Sequence, residues 1–217
     1  MTRKRQRELC VAICLLAAFA LWTALLFFVD VQPIGPQGSA VGFATLNRIV
    51  HESTGVNMTL YTVTDWLGLV PIGVAMGFAI SGLLQMIRRK GLFRVDRDVL
   101  ALGVFYAAVM AVFVFFEFAV VNYRPVLIEG RLEASYPSST TMLVTCVIPT
   151  AMMQLRVRIR NKVLRLIALL SLTAFVAFMV IGRFLSGVHW VSDIIGGALV
   201  SAGLVMLYGA IGMNQKG

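Results

Sequence analysis

A histidine with an aspartate four residues after it, and an arginine six residues before it, stands where one hydrophobic run gives way to the next. The segment is Gly182-Arg183-Phe184-Leu185-Ser186-Gly187-Val188-His189-Trp190-Val191-Ser192-Asp193. Residues four apart share a helix face, so this spacing predicts that the Asp193 carboxylate reaches the His189 imidazole. A carboxylate in that position fixes the ring tautomer and leaves the other nitrogen free to act as base or nucleophile. Arg183 adds a planar fork of donors suited to phosphate oxygens.

Two earlier clusters offer the rest of a phosphate site. Asn122-Tyr123-Arg124-Pro125 closes an apolar run. Arg124 there either snorkels to head groups or binds an anion. Tyr136-Pro137-Ser138-Ser139-Thr140-Thr141 opens the next run. Ser138 and Ser139 are either ordinary helix caps or, with the backbone N–H groups and the helix dipole, an anion cradle.

The elements that must position these residues are membrane helices. The chain has 217 residues, 59% hydrophobic and only 13% charged, against about a quarter charged in a soluble domain. A span needs roughly 20 largely apolar residues. Six runs qualify, near Leu9–Val29, Tyr61–Ile87, Val99–Val121, Thr140–Leu155, Val163–Ile181 and Val191–Ile211. The first has a basic prelude, but its length and lack of a small-residue cleavage site mark it as a retained span. The expectation is an all-α integral membrane protein, a six-transmembrane helical bundle forming one domain over residues 1–217.

The net charge of +9 follows from topology. Fifteen of the 19 Lys and Arg residues fall in Arg3–Arg7, Arg88–Arg97, Arg156–Arg165 and Lys216, which alternate to one side of the six spans. By the positive-inside rule that side, and with it both termini, is cytoplasmic. The partner is therefore a lipid bilayer and not nucleic acid. Arg124 and Arg183 are two of the four basic residues on the outer side, where the two outer loops bearing the clusters meet. Cys10, Cys14 and Cys146 offer neither a disulfide framework nor metal spacing and read as small buried side chains. The loop from Asp30 to Leu60 carries helical apolar spacing over Val41–Val50, predicting a short surface helix, followed by a solvated His51.

Taken together, Arg-Pro, Pro-Ser-Ser and Arg-x5-His-x3-Asp, in this order and on one membrane face, resemble the three signature motifs of the type 2 phosphatidic acid phosphatase superfamily, in the style of its bacterial members. The motif region covers residues 117–193. The resemblance implies a membrane lipid phosphatase working without a metal or other cofactor. His189 would attack phosphorus to form a phosphohistidine and Asp193 would orient it. Arg124, Arg183, Ser138 and Ser139 would hold the phosphoryl oxygens.

Two positions depart from the pattern. The family has a lysine seven residues before the first arginine; here that residue is Glu117. On one continuous helix Glu117 and Arg124 would share a face about 10 Å apart along the axis. An acid in a span either takes part in the chemistry or pairs with a buried donor such as Arg124. The family also reads Pro-Ser-Gly-His where this chain has Thr140 in place of the histidine. That histidine protonates the leaving oxygen and activates water, help worth about 10²- to 10⁴-fold. A lipid diphosphate loses less by its absence, because the departing phosphate has a second pKa of about 6.

The resulting expectation is an outward-facing cell-membrane phosphatase for a lipid phosphate or prenyl diphosphate, undecaprenyl diphosphate being one example. The alternative is a catalytically weak or silent relative that binds lipid phosphate as carrier, regulator or assembly partner. A small transporter is a third reading, but the sequence shows no paired broken helices or repeat symmetry.

Overall fold

A computed structural model describes residues 3–211, so Lys216 lies outside the described residues. Eight α-helices and no strand occur among them: α1 (Arg3–Leu25), α2 (Ala44–Thr54), α3 (Met58–Leu67), α4 (Leu69–Arg89), α5 (Arg97–Phe118), α6 (Ser139–Arg158), α7 (Lys162–Leu185) and α8 (Val191–Ile211). Six helical stretches are long and apolar enough to cross a membrane, with α3 and α4 together making one of them. The chain is thus an all-helical, six-span membrane protein.

Half of α6 and of α8 is buried, against 6% of α1 and α7, so α6 and α8 form the inside of the bundle. Small residues permit this. Without a hydrophobic driving force between helices in lipid, close backbone approach through Gly and Ser supplies the packing. Gly203 of α8 lies against α1 so closely that an added Cβ would stand 2.8 Å from the Leu16 side chain. Leu102, Phe105, Val109, Met142, Cys146, Val200, Val205 and Tyr208 fill the space between α5, α6 and α8. Cys146 is buried as expected, but Cys10 and Cys14 sit on the outward face of α1, because α1 packs against α8 along one side only.

Several boundaries correct the sequence reading. The second apolar run is broken at Gly68. Pro71 lacks an N–H and its ring crowds the carbonyl four residues back, that of Leu67, so α3 ends there. The Gly68 N–H turns back to the carbonyls of Thr64 and Asp65. The third span, α5, stops at Phe118, although apolar residues continue to Val121. Arg124 is therefore in a loop, and Glu117 and Arg124 do not share a helix face. The short helix expected near Val41–Val50 is present as α2. It docks on α8 through the fully buried Asn47, and His51 is half-buried, its ring 5.4 Å from that of Trp190.

Candidate functional site

Three loops meet at one end of the bundle, and backbone bonds lock them together. The arm leaving α5 pairs with the arm entering α6: Arg124 N–H donates to the Glu133 carbonyl at 3.0 Å, and Ser135 N–H to the Asn122 carbonyl at 2.9 Å. The Ser138 N–H donates to the Asp193 carbonyl at 3.1 Å, tying the start of α6 to the start of α8. Asn47 brings in α2, receiving the Ser192 N–H on Oδ1 and donating from Nδ2 to Ser192 Oγ and the Gly42 carbonyl. Trp190 Nε1 donates to the Tyr123 carbonyl. The segments carrying Arg88–Arg97 and Arg156–Arg165 join the helices at the opposite end.

His189 precedes the first turn of α8 and is 5% exposed. The expected direct bond from Asp193 is not what holds it. Instead Ser135 Oγ lies 3.0 Å from His189 Nδ1 and 2.5 Å from Asp193 Oδ2. The carboxylate is otherwise occupied by Trp190 N–H at 3.0 Å and Asn122 Nδ2 at 3.0 Å. The cause of the correction is local: His189 lies outside the helix, so the i,i+4 geometry does not apply to it. On the other side of the ring, Nε2 is 3.5 Å from Arg124 Nη1. Burial, then the nearby Arg124 and Arg183 charges, pushes the His189 pKa well below 6.5. The ring is neutral near pH 7, and its lone pair is available.

A cavity of about 200 Å³ opens onto this histidine. Arg124, Ser135, Ser139, Glu117 and Glu133 supply its polar wall, and Phe113, Phe116, Tyr136 and Met142 the rest. Tyr136 is fixed by stacking on Phe19 and by a 2.6 Å bond between its hydroxyl and that of Thr23. Arg124 Nε stands 3.1 Å from Glu133 Oε2, yet it makes no well-aligned hydrogen bond. The two charges are neighbours, and the guanidinium keeps donors in hand. The alternative in which Glu117 pairs with Arg124 is not seen: the carboxylate beside Arg124 is that of Glu133, and Glu117 belongs to a helix that ends before the loop.

The structure therefore brings His189, Arg124, Ser139 and Glu117 around one cavity. It places Asp193 behind them through Ser135. Ser138, Thr140 and Arg183 do not line the cavity. Ser138 is fully buried and its hydroxyl donates to Thr141 Oγ1. Arg183 is 1% exposed and faces α3, with Nη2 donating to Thr140 Oγ1 at 2.7 Å and to Asp65 Oδ1 at 3.1 Å. Its guanidinium carbon sits 4.9 Å from the centre of the Tyr61 ring, the same ring that Arg124 approaches at 5.9 Å.

Five residues of this network were not singled out from sequence: Ser135, Asn122, Glu133, Asp65 and Tyr61. Asp65 carried a usable signal, an acid inside an apolar span. It is one of three α3 partners of Arg183, since Tyr61, Thr64 and Asp65 share a helix face. Ser135 and Glu133 carried none, because their partners are distant in sequence.

The sequence matches the PAP2 superfamily over residues 98–215, more than half of the chain. No curated protein matches it. A similar solved structure is that of a transmembrane PAP2-type phosphatidylglycerolphosphate phosphatase from Bacillus subtilis, with a TM-score of 0.58. That likeness covers 90% of this chain and 92% of the other at 17% identity, and is a likeness of fold.

Proposed function

Since this chain belongs to the PAP2 superfamily, we propose that it is a lipid phosphatase of the cell membrane, cleaving a lipid phosphate or prenyl diphosphate at the outer face. The observation that carries this reading is the buried His189, with Nε2 3.5 Å from Arg124 Nη1 beside a cavity that can hold a phosphoryl group. The Nε2 lone pair attacks phosphorus, the bond to the leaving oxygen breaks, and that oxygen takes the electron pair. Water then attacks the phosphohistidine, the Nε2–P bond breaks, and inorganic phosphate leaves. Arg124 and the Ser139 end of α6 receive the phosphoryl oxygens, where donors and the helix dipole favour negative charge. Asp193 steadies the histidine. Arg183 and Ser138 support this end of the bundle from behind, Arg183 adding its charge at longer range.

Glu117 lines the cavity, and its carboxylate takes the proton of the attacking water. With Thr140 bound to Arg183, no group at that position protonates the leaving oxygen. A diphosphate substrate suits such a site, because its leaving phosphate needs little protonation. An apolar groove of about 630 Å³ between α4 and α5 begins one helical turn from the cavity, at Met110 against Phe113, and offers a path for the lipid tail. The positive-inside pattern favours the outer face for the site and the cytoplasm for both termini.

A second reading has its own observation. Two carboxylates, Glu117 and Glu133, share the cavity with a single arginine. That balance favours a protein that binds lipid phosphate weakly or turns it over slowly. Phosphate release in mixed micelles separates the two readings, with undecaprenyl diphosphate, phosphatidic acid and phosphatidylglycerol phosphate offered beside a His189→Ala control. Release lost in the control supports the phosphatase. Retained lipid binding with no release from any of the three supports the binder.

A further inference from the structure

Ser135 stands between the histidine and the aspartate, and its hydroxyl can satisfy both in only one way. The residue is 2% exposed and held by its own N–H to the Asn122 carbonyl. A serine hydroxyl has one proton to give and lone pairs to receive. The ionised Asp193 can only accept, and at 2.5 Å it takes that proton. The oxygen then faces His189 Nδ1 at 3.0 Å with a lone pair, so Nδ1 must carry the hydrogen.

The far side of the ring makes the same demand independently. Arg124 Nη1 has only hydrogens to offer, and a ring nitrogen facing it must present a lone pair. Both contacts specify the tautomer with Nδ1–H and a bare Nε2.

From this geometry we propose that Ser135 is a positioning residue, a hydroxyl bridge through which Asp193 sets the tautomer and orientation of His189. The proposal rests on the phosphatase reading for its consequence in turnover, but not for its structural content. When Nε2 bonds to phosphorus, positive charge spreads over the ring and Nδ1–H becomes a stronger donor. The bridge passes that charge to the carboxylate as two linked hydrogen bonds, the charge-assisted one being the shorter.

The chain contains two histidines, His51 and His189. A His51→Gln protein therefore leaves one imidazole for nitrogen-15 NMR, and His51 takes no part in the site. In this background the Nδ1–H form with unprotonated Nε2 is expected for His189. Ser135→Thr keeps the hydroxyl, whereas Ser135→Val has nearly the same shape without it. Thr should retain the tautomer, whereas in Val only the longer 3.5 Å Arg124 contact is left to favour it and the preference for Nδ1–H should weaken. On the phosphatase reaction, Val should lower kcat by about 10- to 100-fold, by analogy with the loss of groups that orient metal-binding histidines, with KM little changed. Thr should restore most of the rate.

An Nε2–H tautomer in the parent protein overturns the proposal. So does a Val variant with unchanged tautomer and kcat, which would mean that the ring is held without the hydroxyl, by the Ser135 backbone or by Asp193 directly. If the parent releases no phosphate from any lipid, the phosphatase reading fails, while the NMR comparison still decides the bridge.

Discussion

Two buried arginines stand within reach of one tyrosine ring, and their environments make them different residues. Arg124 sits in a loop at the cavity wall, beside a half-exposed Glu133, with Nε making no hydrogen bond and Nη1 meeting only His189 Nε2 at 3.5 Å. Arg183 sits in the last turn of α7, 1% exposed, with Nη1 and Nη2 directed to Tyr61, Thr64, Asp65 and Thr140. An arginine whose terminal Nη donors are taken up by its own protein, with Nε alone unpartnered, holds helices together. One whose donors are spare can hold a substrate. The contrast also explains Thr140: in this chain that position serves the structural arginine.

The largest separation between the two should come from Arg124→Ala. Removing a donor aimed at developing phosphoryl charge costs about 10²- to 10³-fold in kcat. It should leave the melting temperature in detergent nearly unchanged, because the cation faces a cavity. An equal loss of turnover and of stability would mean that Arg124 is structural like its neighbour.

The complementary change is Asp65→Asn, which leaves the Arg183 charge buried with only neutral partners. Breaking a fully buried pair costs about 3–5 kcal/mol, and the half-exposed side chain of Asp65 reduces this to roughly 1–3 kcal/mol. The expected result is a lower melting temperature with KM for the lipid preserved. A selective loss of lipid affinity would instead place Arg183 in the binding site.

Much of this arrangement is legible in the sequence, and the remainder fails for identifiable reasons. Six spans follow from runs of apolar residues, because lipid imposes a length that composition reveals. Apolarity does not report where a helix stops within such a run, so the ends at Leu67 and Phe118 were not visible. The second of these errors carried Arg124 onto the helix of Glu117 and suggested a pairing that the loop geometry does not make. His189, Asp193 and Arg124 stand out in the sequence because their residue types and spacing resemble the family's motifs. Ser135 is not: its bonds span 54 and 58 residues, and no local pattern encodes contacts at that separation.

A smaller effect is expected at Glu133. Glu133→Gln removes the anion beside Arg124 and should tighten binding of a phosphate-bearing lipid several-fold, about 1 kcal/mol, as for an exposed ion pair. Weaker binding would show that Glu133 orients Arg124 and does not merely compete for it.

The smallest change should accompany pH. The folded His189 pKa is depressed, so the neutral nucleophile persists as pH falls to 6.5, the value of a free imidazole. The acid limb of kcat/KM assigned to His189 should therefore lie well below pH 6.5. A limb at or above that value, retained when the other ionisable groups of the cavity are replaced, would place the histidine in a wetter site than the one described.

The most direct measurement is of the phosphohistidine itself. The purified protein is mixed with lipid diphosphate labelled with phosphorus-32 in the terminal phosphate, then quenched in alkali within the first turnover. Label bound to the wild-type chain that is acid-labile and alkali-stable, and that is absent from His189→Ala, is the expected result. Phosphate release with no such adduct, or an adduct that survives His189→Ala, would contradict nucleophilic attack by this histidine.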